Sequence, residues 1–166
     1  MNLTETGINE VSGRKLSILE LPSITDFSEH IDLRSKYFGC FLAVDVNASN
    51  EAKVYNLAIK LLKLGMSFCT CWGENCETAH DLVDSACHNY FSEPTDQNVI
   101  MTSWLSTENL PEALWDHLYV SFPAEDYWDE SKLDLFIFIN KPESYKIAKK
   151  HLSDLNNLNI LVVGKD

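Results

Sequence analysis

A chain of 166 residues with 45% apolar and 23% charged side chains suits one domain with a real core, and excludes a disordered or disulfide-stapled protein. Thirteen Lys and Arg stand against 25 Asp and Glu, and the resulting net charge of −12 argues against sequence-independent DNA or RNA binding, which needs cations at the phosphates. No apolar run approaches the roughly 18 residues of a membrane span, and the polar start MNLTETGINE lacks a basic stretch leading into an apolar one, so a cytoplasmic protein is expected.

Residues 1–14 are polar, contain Gly7 and Gly13, and show no apolar period, which predicts a flexible tail ahead of a single domain over 15–166. A short edge strand is expected over 15–21, stopped by Pro22, with a helical turn or two somewhere in 23–37. The run FGCFLAVDV at 38–46 has the length and continuous apolarity of a strand buried on both faces of a parallel sheet. Ser49 or Asn50 then caps a helix in which Val54, Leu57, Ala58, Leu61 and Leu62 recur at helical spacing, and Gly65 stands where the C-terminal cap belongs.

The alternation continues with a strand at 66–72, a helix at 76–91 and a strand at 98–104. Asn109 with Glu112 three residues on, and Pro111 between them, opens a third helix running to 122. The segment LDLFIFI at 133–139 predicts a fourth strand of this series. Asn140 with Glu143 caps a helix to about 152, and NILVV at 159–163 reads as a last strand. Strands alternating with helices of ten to fifteen residues imply right-handed crossovers. The expected architecture is a three-layer α/β sandwich, a mainly parallel five- to six-stranded sheet with helices on both faces.

In such sheets ligands settle beyond the carboxyl ends of the strands. Those ends collect Asp45, Trp72, Thr102, Ser103 and Trp104 as candidate binding residues, next to the start of the second helix. There Cys76 occupies the opening turn, where free N–H groups stabilise a thiolate, and His80 and Asp84 follow at successive helical turns, a candidate catalytic set. Cys69, Cys71, Cys76 and His80 are four nominal zinc ligands within twelve residues, but strand rise carries Cys69 away from the helix start and no Cys-x-x-Cys pair is present. Neither a metal nor a cofactor is expected, and both GxGxxG and GxxxxGK[ST] phosphate loops are absent. The remaining histidines, His30, His117 and His151, stand alone. Five cysteines, an odd number set within apolar strands and helices, are expected to be reduced thiols.

Charge is unevenly placed. Between residues 89 and 140 ten acids face a single base, Lys132, whereas lysines predominate from Lys141 onward. Within the acidic segment the loop at 123–132 carries Glu125, Asp126, Tyr127 and Trp128, which read as aromatic anchors in a charged rim.

The run Trp72-Gly73, Cys76, His80-Asp81, Asp84, Met101-Thr102, Trp104, Ala113-Leu114-Trp115 and Phe122-Pro123 resembles a family of uncharacterised small bacterial α/β domains, over about residues 38–139. The chain departs from that pattern at Leu105, where the family favours a polar residue. The resemblance implies a bacterial cytosolic domain and no particular reaction. Two functions follow as expectations. The first is a binding module of immunity or accessory type that docks on a basic protein partner through 89–140, without nucleic-acid or membrane contact. The second is a thiol enzyme using Cys76 and His80 on a small substrate.

Overall fold

The structure, a computed structural model, describes residues 3–164. Six strands form one sheet: β1 (Leu3–Asn9), β2 (Arg14–Leu21), β3 (Tyr37–Ala43), β4 (Met66–Trp72), β5 (Met101–Trp104) and β6 (Ser131–Ile139). Five helices connect and cover them: α1 (Glu51–Lys63), α2 (Cys76–Tyr90), α3 (Leu110–Tyr119), α4 (Pro142–Leu152) and α5 (Leu155–Val163). Single 3-10 turns occur at Ile24–Asp26 and Glu125–Tyr127. The strand order is β1-β2-β6-β3-β4-β5, parallel throughout except that β1 runs antiparallel to β2. The expected mainly parallel α/β sandwich is what forms.

Strand alternation divides the core in two. Cys40, Leu42, Cys69, Cys71, Leu135 and Ile137 point to the face covered by α1 and α2. Leu16, Ile18, Phe41, Phe136 and Phe138 point to the opposite face, under α3, α4 and α5. Because β3, β4 and β6 are central and covered on both sides, nearly every residue in them is buried, as their unbroken apolar runs require. Gly39 in β3 leaves room for a large neighbour, since a Cβ there would overlap the Phe68 ring and come within 2.6 Å of Asp134 Oδ1.

Two expectations are corrected. Residues 3–14 are no flexible tail: β1 pairs along β2 with a bulge between Glu5 and Gly7, and the buried Asn9 donates its side-chain amide to the Leu118 carbonyl of α3. An edge strand with one wet face carries little apolar pattern, so pairing, not burial, makes it a strand. Residues 1–2 lie outside the described part. The run at 159–163 is helical, not a strand. Asp154 caps α5 by accepting the Asn157 N–H at 3.0 Å, and Leu155, Leu158 and Val162, at helical spacing, pack into the α3/α4 core.

Smaller shifts follow the same logic. β5 begins at Met101, not at 98, and α3 ends at Tyr119. Asn140 does not cap α4; it takes a left-handed conformation, φ 53°, and gives its N–H to the Leu21 carbonyl. Among the described residues no helix is long and apolar enough to cross a membrane.

Candidate functional site

The carboxyl ends of β3, β4 and β6 meet as expected, but a cation already bridges them. Lys141 Nζ lies 2.7 Å from Asp45 Oδ1, which also accepts the Glu74 N–H at 2.7 Å, and the same ammonium stands 5.4 Å from the centre of the Trp72 ring. Burial tends to raise the Asp45 carboxyl, yet Lys141 and the Glu74 N–H outweigh it and hold it below the usual range. Trp72 is fixed through its indole N–H to the Glu108 carbonyl at 3.1 Å. Gly73, φ 130°, permits the close turn, because a Cβ there would sit 2.5 Å from the Val44 carbonyl oxygen. Asp45 and Trp72 therefore form a latch between strand ends.

Thr102, Trp104, His80 and Asp84 form a second group, on the α2 face of β5. Thr102 donates its hydroxyl to Asp84 Oδ1 at 2.5 Å and lies 3.1 Å from His80 Nε2. His80 Nδ1 faces Asp81 at 3.2 Å, and its ring lies 4.6 Å from that of Trp104. The imidazole side chain is 12% exposed. With both ring nitrogens engaged and one face covered, His80 fastens the edge strand to α2.

Cys76 is not part of that group. It is 1% exposed, and no hydrogen bond joins it to His80. Burial pushes its thiol up, against the N–H groups of Leu105 and of the helix start, which pull the other way. Cys40, Cys69 and Cys71 are also core groups, with Cys69 pulled down by its hydrogen bonds to Cys40 and Cys71, and Cys87 is half-buried on α2. The hydrogen bond to Cys69 and burial raise Cys40 and Cys71, and burial pushes Cys87 up to about 12. All five cysteines are unpaired, and among the described residues no three His, Cys, Asp or Glu side chains converge as metal ligands. Iodoacetamide at neutral pH is therefore expected to label Cys76 slowly, no faster than the more accessible Cys87, as peptide mapping would show. Selective fast labelling would restore the thiol reading.

The loop expected to carry two aromatic anchors carries one. Tyr127 is buried, with its hydroxyl on the Asn98 carbonyl at 2.6 Å and its ring edge-on to Tyr37. Trp128 is 57% exposed and held by its indole N–H to the Pro123 carbonyl. Glu125 and Asp126 face solvent, and the Asp126 N–H bonds the Gln97 carbonyl, tying the loop to the approach to β5.

Ser103, on the other face of β5, leads into a buried polar chain that its neighbours in sequence do not announce. It donates to Thr70 Oγ1, which lies 2.9 Å from His117 Nδ1. His117 Nε2 is 3.7 Å from Asp134 Oδ1, and Asp134 Oδ2 accepts from Arg14 Nε at 2.9 Å. His117 and Asp134 are fully buried, and the two facing atoms, Nε2 and Oδ1, have no hydrogen-bond partner among the described residues. Burial, and secondarily the Arg14 charge, holds the His117 imidazole well below its ordinary range, while burial raises Asp134 to about 6 despite Arg14. The signal available in the sequence was the lone Asp134 inside LDLFIFI, at a position whose neighbours on both sides are core.

Residues 19–153 match the model of a family described as Domain of unknown function (DUF7684). The chain belongs to that family. The DUF7684 match runs from within β2 to the end of α4, wider than the residues 38–139 that carry the resemblance. It takes in the Asp45 latch, the His80 clamp and the acidic segment, and it leaves β1, Arg14 and α5 outside. No curated protein matches the sequence.

Proposed function

We propose that the chain is a protein-binding module, an immunity or accessory type of factor, that docks on a basic partner through the acidic surface between residues 89 and 140. One observation carries this reading. Met101, Trp104, Phe122 and Trp128, each between 42% and 58% exposed, all fall in the segment with ten acids and one lysine. Large apolar side chains within a charged rim are how tight interfaces are commonly assembled, and opposite charge speeds encounter.

One of the ten acids, Asp134, is internal, and Glu130 is paired with Lys36 at 2.6 Å. The other eight remain to attract a cation-rich surface. The thiol-enzyme alternative gains nothing from a buried, protonated Cys76.

With a partner in hand, affinity is expected to fall steadily as salt rises through the physiological range. Trp128→Ala is expected to weaken binding by about tenfold or more, since exposed Trp anchors commonly contribute at least 1–2 kcal/mol. Titration calorimetry at several salt concentrations measures both. Affinity indifferent to salt, or lost on removing Lys149 and Lys150 instead, would refute the proposal.

A further inference from the structure

Within the acid-rich segment lies a strand with one free side. Among the described residues β5 is the last strand of the sheet and pairs only with β4. Leu105 gives its N–H to the Cys71 carbonyl. Peptide groups of a strand point alternately to its two sides, so Thr102 and Trp104 turn their N–H and C=O groups outward. Edge strands are normally blunted by lysine, proline or a bulge. Met-Thr-Ser-Trp has none of these, and only its shortness protects it. Nor is β5 loose, because the Thr102–Asp84 and Thr102–His80 contacts hold it to α2.

Two clefts flank this edge, one on each face of the sheet. Toward α2 a cleft of about 720 Å³ opens among Asp84, Cys87, Phe91, Ile100 and Thr102. Toward α3 a smaller one of about 190 Å³ lies among Phe68, Ser103, Asp116, Val120 and Phe122. Each has one carboxylate, Asp84 or Asp116, and neither is lined by Lys or Arg. Burial and the nearby Glu108 raise the Asp116 carboxyl, as expected of an acid without a cation beside it. A chain laid alongside β5 would send successive side chains to opposite faces, and so into these two clefts in turn.

We infer that β5 receives an extended, cationic segment of the partner as a seventh strand, paired to the outward peptide groups of Thr102 and Trp104, with a Lys or Arg in each cleft. The apolar walls take the aliphatic stems and the carboxylates take the charged ends. This inference rests on the basic-partner reading and adds how that partner binds. Charge selects the occupant: a second copy of this chain would bring Asp84, Asp116 and the rest of the acidic segment against their own kind.

The probe is a short fluorescent peptide in which arginine pairs alternate with valines, so that adjacent arginines face opposite clefts. Its counterpart has every peptide nitrogen methylated, which keeps the charge and removes the donors. Anisotropy is expected to show the parent peptide binding at least about tenfold more tightly than the methylated one, the loss expected of a few main-chain bonds. Thr102→Pro is expected to weaken the parent peptide by a similar factor. Thr102→Val, which loses the hydroxyl on Asp84 and His80 but keeps the outward peptide N–H, is expected to weaken the peptide less than Thr102→Pro does. Hydrogen exchange at the Thr102 and Trp104 amides is expected to slow when the peptide is bound.

Salt-sensitive binding that ignores methylation and Thr102→Pro overturns strand addition, while leaving a basic partner in place. Failure of both peptides to bind overturns it as well, and the salt titration of the partner then stands on its own. Self-association abolished by Thr102→Pro would make a second copy the occupant, against the inference.

Discussion

Replacing Asp134 by Ala is expected to lower the unfolding free energy by about 3–5 kcal/mol, because it strands a buried cation. Asp134 is fully enclosed between β2 and β3, and the Arg14 side chain that it holds at 2.9 Å is only 9% exposed, lying over the Phe68 ring. Without the carboxylate the guanidinium has no counter-charge and cannot reach water while β2 stays in register. Urea unfolding at neutral pH measures the loss. Changing both partners, Arg14→Met with Asp134→Leu, is expected to recover most of it, since a well-packed apolar pair avoids the cost of dehydrating two ions. A loss below about 1 kcal/mol for Asp134→Ala would mean that Arg14 swings out to solvent, and that the pair contributes no more than a surface salt bridge.

That same pair shows where sequence reasoning works on this protein and where it stops. β3, β4 and β6 were legible because a strand buried on both faces has to be apolar throughout, and α3 because Asn109 and Glu112 form the reciprocal cap that their spacing implies. The same spacing at Asn140 and Glu143 misleads, since pairing of the Asn140 N–H with β2 fixes that residue in a left-handed conformation. β1 was invisible because edge strands need hydrogen-bond partners more than apolar faces. The helix α5 was hidden because a window over NILVV omits Leu155 and Leu158, which carry its buried face.

The functional residues divide in the same way. Proximity of Thr102 and Trp104 to His80 and Asp84 follows from topology and was foreseeable, but whether a thiol in the first turn of a helix faces water does not, and Cys76 faces the core. Charge counting placed Asp134 on the acidic surface because a tally has no inside. Arg14, fourteen residues from the start in a stretch without pattern, could be matched to it only by the β2–β6 pairing.

His117→Phe is expected to change how stability depends on acid more than it changes stability at neutral pH. Phe68, Phe41 and Phe136 enclose the imidazole, its centre 5.1–5.7 Å from theirs, so a phenyl ring fits the same cage. The lost hydrogen bond between Thr70 and His117 costs on the order of 1 kcal/mol, moderated by Ser121 and Ser103 close by. Acid is different. A histidine held neutral by burial binds fewer protons folded than unfolded, so its contribution is present above the unfolded value near 6.5 and is lost as pH falls below it. The variant lacks that loss. Its stability relative to the parent is expected to rise as pH falls below 6.5, by no more than about 1.4 kcal/mol per pH unit. Asp134 carries the opposite sign: raised from 3.8 to about 6, it stabilises the fold as pH falls through 6, so in the parent the two groups offset each other. Parallel unfolding curves for variant and parent across pH 4.5–7 would show that His117 takes up its proton as readily folded as unfolded, and that water reaches the Thr70–His117–Asp134 chain.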